Sequence, residues 1–232
     1  MKKTAVVYGS VYGSTKQYAQ WIADALSADL YENKSLDISV LEPYDIIIYG
    51  GGLYAGGVTG ISLISRHPEF IQKKKVFLFT CGIADPAKPE NIEHILKNLD
   101  SVFTGKLKEQ ISFYHFRGRM DYERLSTKHR VMMWMMKKML SKKKPEERTE
   151  EDQGILDTYG TLVDFTDRGS IIPLVQDASQ YIYKFQEKSS KTLKLSHKTG
   201  IRLYNTSVSR KILFCFFCFP VFYLFFLHII FL

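Results

Sequence analysis

The sequence predicts an α/β fold, a doubly wound parallel sheet of five strands in the order 2-1-3-4-5, with a helical insert and an apolar C-terminal tail. Three observations predict it. Short apolar, β-branched runs lack the alternation of a one-sided sheet, which marks strands buried on both faces. Stretches with apolar residues at helical spacing separate these runs. Strand ends run into glycine or hydroxyl residues, so loops at 9–15, 50–57 and 80–86 converge beyond the carboxyl ends of the strands, where an open parallel sheet holds its ligands.

In chain order, Thr4 to Lys16 reads as strand, loop and helix start, and Tyr18, Trp21, Ile22 and Leu26 give the helix its apolar face. Asp29 to Glu32 is a short second strand. Pro43 ends the next segment, and Tyr44 to Gly52 is a buried strand running into glycines. A helix is expected over Ile61–Ile71, a strand over Lys75–Phe79 followed by Thr80-Cys81-Gly82, a helix over Pro89–Leu99 and a strand over Gln110–Phe116. Residues 117–148 form a basic helical insert with six consecutive apolar residues from Val131 to Met136, which wrap a helix all round. One face must pack on the protein. The other needs a second apolar partner, so the helix is a lid, a methionine-rich core element or a contact with a bilayer interface. Ser170 is the expected cap of a last helix that tolerates Pro173 in its first turn and ends near Phe185.

The first domain therefore spans 1–185. Residues 186–211 read as a basic linker, and Ile212–Leu232 would rise roughly 30 Å as a helix, enough for a tail anchor. Arg210 and Lys211 would keep the body on the cytoplasmic side. Pro220 and the load of phenylalanine leave an aberrant reading of this tail open.

The net charge of +8 is unevenly spread. The first 116 residues hold 12 basic and 12 acidic side chains, whereas 117–148 hold 11 against 4 and 186–232 hold 7 against 1. A nucleic-acid partner is not indicated, and the basic segments, both carrying apolar runs, suit an anionic membrane surface instead. The 3 cysteines give no disulfide framework, Cys215 and Cys218 lie inside an apolar run, and no histidine pair has metal-ligand spacing. With no cleavable leader before the first strand, the body is expected in the cytoplasm.

The first loop carries the chemistry. Ser10, Ser14 and Thr15 offer hydroxyls, Gly13 admits a close backbone approach, and the open N–H groups of the helix start suit a phosphate. A hydroxyl-rich helix cap is the plainer reading. The spacing is not that of a Walker loop, because Gly9 and Gly13 enclose three residues rather than four. Gly50, Gly52 and Ala55 fit G-x-G-x-x-A formally, but Gly56 and Gly57 delay the helix that would bind a pyrophosphate. The better reading of this loop puts Tyr54 against a flat ring, or leaves it an ordinary exposed turn tyrosine. Cys81 reads as a small buried residue beside that ring rather than a redox thiol.

Ser10, Val11, Tyr12, Gly13, Ser14 and Thr15 resemble the phosphate loop of flavodoxins, with Tyr12 standing where a hydroxyl residue is usual and its backbone N–H left to serve. More narrowly, Lys2 to about Tyr183 resembles the flavodoxin-like, menaquinone-dependent protoporphyrinogen oxidases. The likeness rests on the insert, on HFRGRMDYER and on VDFTDRGSI from Val163 to Ile171. The resemblance implies FMN, held by Ser10 to Thr15, by Gly52, Leu53, Tyr54 and Ala55, and by Cys81, Gly82 and Ile83. It further implies oxidation of a porphyrinogen, with electrons passed to a quinone at the inner face of the cytoplasmic membrane. No acid–base constellation is found, and none is needed where a flavin carries the redox chemistry. A flavodoxin-type electron carrier and a cofactor-free adaptor that kept the fold stand as the other readings.

Overall fold

A computed structural model describes residues 3–184 apart from Ala55, Ser101 and Thr104. The expected linker at 186–211 and apolar tail at 212–232 lie outside the described residues. Among the described residues no helix is long and apolar enough to cross a membrane.

Strand β1 (Thr4–Gly9) is buried at every position, as its uninterrupted apolar run requires. It leads into α1 (Ser14–Leu26) and the short β2 (Asp29–Glu32). Next come β3 (Ile46–Tyr54), a two-residue β4 (Gly57–Val58), the single-turn helices α2 (Ser62–Ser65) and α3 (Pro68–Ile71), and β5 (Lys75–Gly82). The helices α4 (Pro89–Asp100) and α5 (Lys106–Gln110) precede β6 (Ile111–Arg117). Five parallel strands lie in the order β2-β1-β3-β5-β6, which is the expected doubly wound order, and β4 folds back antiparallel on β3.

Alternate residues of each strand point to opposite faces, and each face has its own core. Ala5, Val7, Ile47, Tyr49 and Leu78 pack under α2 to α5, with Ile64, Ile71 and Leu99 from the helices. Val6, Ile46, Ile48, Phe77 and Phe79 pack under α1, through Tyr18 and Ile22, and under a last helix, α8, over 172–184. Each fully buried side chain of this size contributes about 1.5–3 kcal/mol, so the central strands hold most of the stability. Gly50 leaves no space for a side chain within the sheet. A Cβ there would lie 2.0 Å from Cζ of Phe79 on the neighbouring strand.

The excursion after β6 is longer than the 117–148 insert read from sequence. It opens with β7 (Arg119–Asp121), passes through α6 (Thr127–Ser141) and α7 (Glu150–Asp157), and closes with β8 (Leu162–Asp164). β8 pairs antiparallel with β7, Met120 opposite Val163, so the ribbon draws the segment after 148 into the same unit. The Ser126 hydroxyl caps α6 by accepting the His129 N–H, and Thr149 with Asp152 forms a reciprocal capping box on α7.

Four expectations are corrected. The helix over 61–71 is two separate turns, because His67 precedes Pro68 and a residue before proline avoids the helical region. β3 runs on to Tyr54 and β5 to Gly82, so Gly52, Leu53, Tyr54, Cys81 and Gly82 stand on strand ends rather than in loops. Pairing extends both strands: Leu53 with Val58, and Cys81 with Phe116. Asp167, not Ser170, caps the turn before α8 by accepting the Gly169 N–H at 2.8 Å.

Candidate functional site

At the carboxyl end of β1 the chain turns through Gly13, whose φ of +97° is the left-handed region that glycine enters without strain. No side chain caps α1, so the hydroxyl-cap reading of this loop fails and the first-turn N–H groups are left to other acceptors. The hydroxyls are engaged instead within the protein. Ser10 Oγ accepts the Gly13 N–H at 3.0 Å, Ser14 Oγ accepts the Arg119 N–H at 3.0 Å, and the Thr15 hydroxyl lies beside the Cys81 thiol. A serine that accepts one bond still has its own O–H to donate. The loop therefore offers backbone N–H groups, the hydroxyl protons of Ser10 and Ser14 and the positive end of α1, which together fit a phosphate. Thr15 is 2% exposed, so this end of the site is shielded from water.

Tyr54 lies down on this loop. Gly52 makes room, since a Cβ there would sit 2.7 Å from Cε2 of Tyr54 and 3.2 Å from Oγ1 of Thr15. The phenol lies beside the backbone of Val11 and Tyr12, and burial pushes its pKa up to about 12. Its ring stacks parallel on the His129 imidazole, with centroids 5.4 Å apart. Tyr12 meets both rings edge-on at 5.7 and 5.6 Å. The Tyr12 hydroxyl also pairs with His129 Nδ1 at 2.5 Å and accepts the Ser126 N–H at 3.2 Å. A three-ring cluster thus fastens the loop to the start of α6.

Beside this cluster a cavity of about 330 Å³ opens among β1, β3 and β5 ends and the excursion. Tyr12, Ser14 and Thr15 line it from the first loop, Leu53 and Tyr54 from the second, and Cys81, Gly82 and Ile83 from the third. The convergence expected of the strand ends is therefore present. Ser10, Val11, Gly13 and Gly52 are not among the lining residues, and Ala55 lies outside the described residues. Cys81 is buried, which pushes its pKa up to about 12 and keeps it a thiol.

The roof is the inner face of α6. His129, Met132, Met133 and Met136 line the cavity at the spacing of one helix face. Val131, Trp134 and Met135 point away from the cavity and are exposed, with Trp134 at 52%, and Met139, a turn beyond the lining, is exposed at 59%. The unbroken apolar run seen in the sequence divides into a lining and an outer surface. Sequence reasoning missed Gly118, which lines the cavity where a side chain would be crowded. A Cβ there would be 3.0 Å from Cys81 Sγ and 3.4 Å from Ser14. No local pattern marks such a residue. Among the described residues no cluster of His, Cys, Asp and Glu can hold a metal.

A model of the flavodoxin domain matches residues 5–148, more than half of the chain. The chain belongs to this flavodoxin domain family. A curated relative, an uncharacterised protein of Methanocaldococcus jannaschii, is 36% identical over 81 residues, which are 34% of this chain and 53% of the relative. The chain thus spans about half the length of that relative. Among solved structures, flavodoxin 2 from Bacillus cereus is similar with TM-score 0.33 and 20% identity over 49% of this chain and 84% of its own. A flavoprotein in complex with FMN from Lactobacillus acidophilus has TM-score 0.36 and 15% identity over 50% of this chain and 93% of its own. Family membership supports a flavin-binding redox role in general terms. The match ends inside the excursion, so α7 and β8 lie outside the matched residues.

Proposed function

We propose that the protein is an FMN-dependent oxidoreductase that takes electrons from a porphyrinogen and passes them to a quinone. The observation that carries the reading is the meeting of the first loop, both later strand ends and the methionine face of α6 around one cavity. FMN, when bound, supplies the redox chemistry. The residues of the chain bind and shield. Open N–H groups at the start of α1 and the Ser14 hydroxyl would receive the phosphate, and Tyr54 would flank it. Met132, Met133 and Met136 exclude water above the ring and adapt to its outline, because the methionine side chain is unbranched and polarisable. Cys81 and Tyr54, both held protonated by burial, take no part in proton transfer at neutral pH.

The choice of porphyrinogen and quinone rests on the likeness of His115–Arg124 and Val163–Ile171 to the menaquinone-dependent enzymes. An electron carrier needs an exposed flavin edge, and the α6 roof speaks against that reading. The exposed face of α6, with lysines at 128, 137, 138 and 142 and no acidic residue along the helix, suits the anionic inner surface of the cytoplasmic membrane.

An absorbance spectrum of the purified chain tests the core of the proposal. Yellow protein with stoichiometric FMN is expected, and Thr15→Trp should be colourless with an unchanged far-ultraviolet dichroism spectrum. Colourless wild-type protein that refuses FMN would establish the cofactor-free adaptor instead. Loaded protein that exchanges electrons with redox proteins but leaves a porphyrinogen untouched would establish the carrier.

A further inference from the structure

The cavity under α6 has a sign. Among the described residues that line it, Arg119 is the one side chain with a fixed charge, and no carboxylate takes part. Tyr54 and Cys81 add no negative charge, because burial pushes both pKa values up to about 12. His129, in the first turn of α6, faces the same space, and that turn holds no acidic side chain to oppose the positive end of the helix. We propose that Arg119 stabilises the negative charge a flavin ring gains on reduction, so that the cavity binds reduced FMN more tightly than oxidised FMN. This role rests on the flavin reading above.

Arg119 is held at the site by its backbone. Its N–H donates to Ser14 Oγ at 3.0 Å, at the start of α1, and on β7 it stands opposite Asp164 of β8. Asp164 is a weak counter-charge. Its Oδ2 lies 3.9 Å from Arg119 Nη1, while its Oδ1 accepts the Thr166 N–H at 3.0 Å and the Thr166 hydroxyl at 2.8 Å. It does not line the cavity, and with the two side chains 37% and 44% exposed, water screens their attraction. Among the described residues the Arg119 guanidinium makes no hydrogen bond, which leaves its five donors to a ligand. Arg117, by contrast, is already engaged. It gives Nε to the Ile83 carbonyl at 3.2 Å, lies over Phe165 and has Asp85 at 3.6 Å, and it lines the neighbouring cavity instead.

Reduction brings two electrons and one proton to the ring, the equivalent of the hydride that an organic donor loses as it is oxidised, and leaves one net negative charge there. A second proton, drawn from water, would cancel it. A cation on the cavity wall stabilises the charge without that proton, and the methionines of α6 keep out the water that would screen the attraction. The oxidised ring carries no such charge, so only the reduced form gains. The consequence is a raised reduction potential, suited to drawing electrons from an organic donor rather than to delivering them to a partner of low potential.

The test is the midpoint potential of FMN bound to the full chain, compared with free FMN in the same neutral buffer by dithionite titration against a reference dye. Bound FMN is expected above the free cofactor. Arg119→Gln should lose about tenfold of the preference for reduced FMN, a fall of about 30 mV for a two-electron couple, with little change in the affinity for oxidised FMN. Arg119→Lys keeps the charge and should keep most of the preference, and Asp164→Asn, which removes the opposing carboxylate, should move the potential upward. A potential unmoved in Arg119→Gln would overturn the proposal, as would an equal fall in Arg119→Lys or wild-type bound FMN below the free cofactor. An unmoved potential joined to weaker binding of benzoate would assign Arg119 to a carboxylate of the donor instead. Wild-type protein that refuses FMN would sink the flavin reading and this role together, whereas FMN that binds with a potential indifferent to Arg119 sinks this role alone.

Discussion

The sheet and the excursion after β6 solve opposite problems with similar residues. In the sheet, Ile47, Ile48, Phe77 and Phe79 are fully buried, branched or aromatic, and fixed by neighbours on all sides. In α6 the apolar residues are mostly methionines, exposed on one face and lining cavities on the other. The first arrangement holds a rigid platform for three strand ends. The second trades packing density for adaptability, which is what a surface receiving ligands of awkward outline requires.

The sharpest way to break this contrast is to crowd the sheet. Gly50→Ala drives a methyl into Phe79, which has no space to retreat, and should destabilise the protein by about 3 kcal/mol, read from urea denaturation midpoints. Met136→Leu in the roof should change the same midpoint by less than about 1 kcal/mol, because the volume is conserved and the site is half open.

The joint between the two regions comes next in size. Tyr18 donates its hydroxyl to the Arg117 carbonyl at 2.7 Å and accepts the Asp167 N–H at 2.9 Å, tying α1 to both ends of the excursion. Tyr18→Phe leaves both groups without this partner and should lower stability by about 2 kcal/mol. Hydrogen exchange should rise at 118–165 more than in the central strands.

Acid provides a graded probe of the platform. His115 on β6, bonded to Thr80 Oγ1 at 2.7 Å, is kept neutral by burial, with its pKa lowered from 6.5 to about 4. The unfolded chain takes the proton first as pH falls below 6.5, so the contribution of this group is complete above that value and is lost progressively toward pH 4. His115→Gln should flatten the stability profile across that interval. The smallest effect on folding is expected at Trp134→Gln on the outer face of α6, within about 0.5 kcal/mol of wild type. Its effect on sedimentation with phosphatidylserine vesicles should be large, and unchanged sedimentation would remove α6 from membrane contact.

How much was legible follows from the range of each signal. The parallel strands and the first loop were read from contiguous runs such as Thr4–Gly9, and the strand over Asp29–Glu32 was placed to the residue despite its exposed ends. The break at His67-Pro68 was written locally but outweighed by the apolar spacing around it. β8 could not be read, because its three residues are defined only by pairing with β7, more than forty positions earlier. Likewise Tyr54 is legible as an aromatic at the end of its strand, yet its edge contact with Tyr12 and its stacking on His129 depend on contacts that no spacing encodes.

The N–H of Phe165 donates to the Gly118 carbonyl at 3.1 Å, so the excursion leaves and rejoins the fold at nearly one point. Such geometry makes it a cassette. A shortened chain with Gly118 and Phe165 joined by a two-residue link would keep every parallel strand, and the removed piece could be transplanted onto another protein of the same scaffold to carry its ligand preference along.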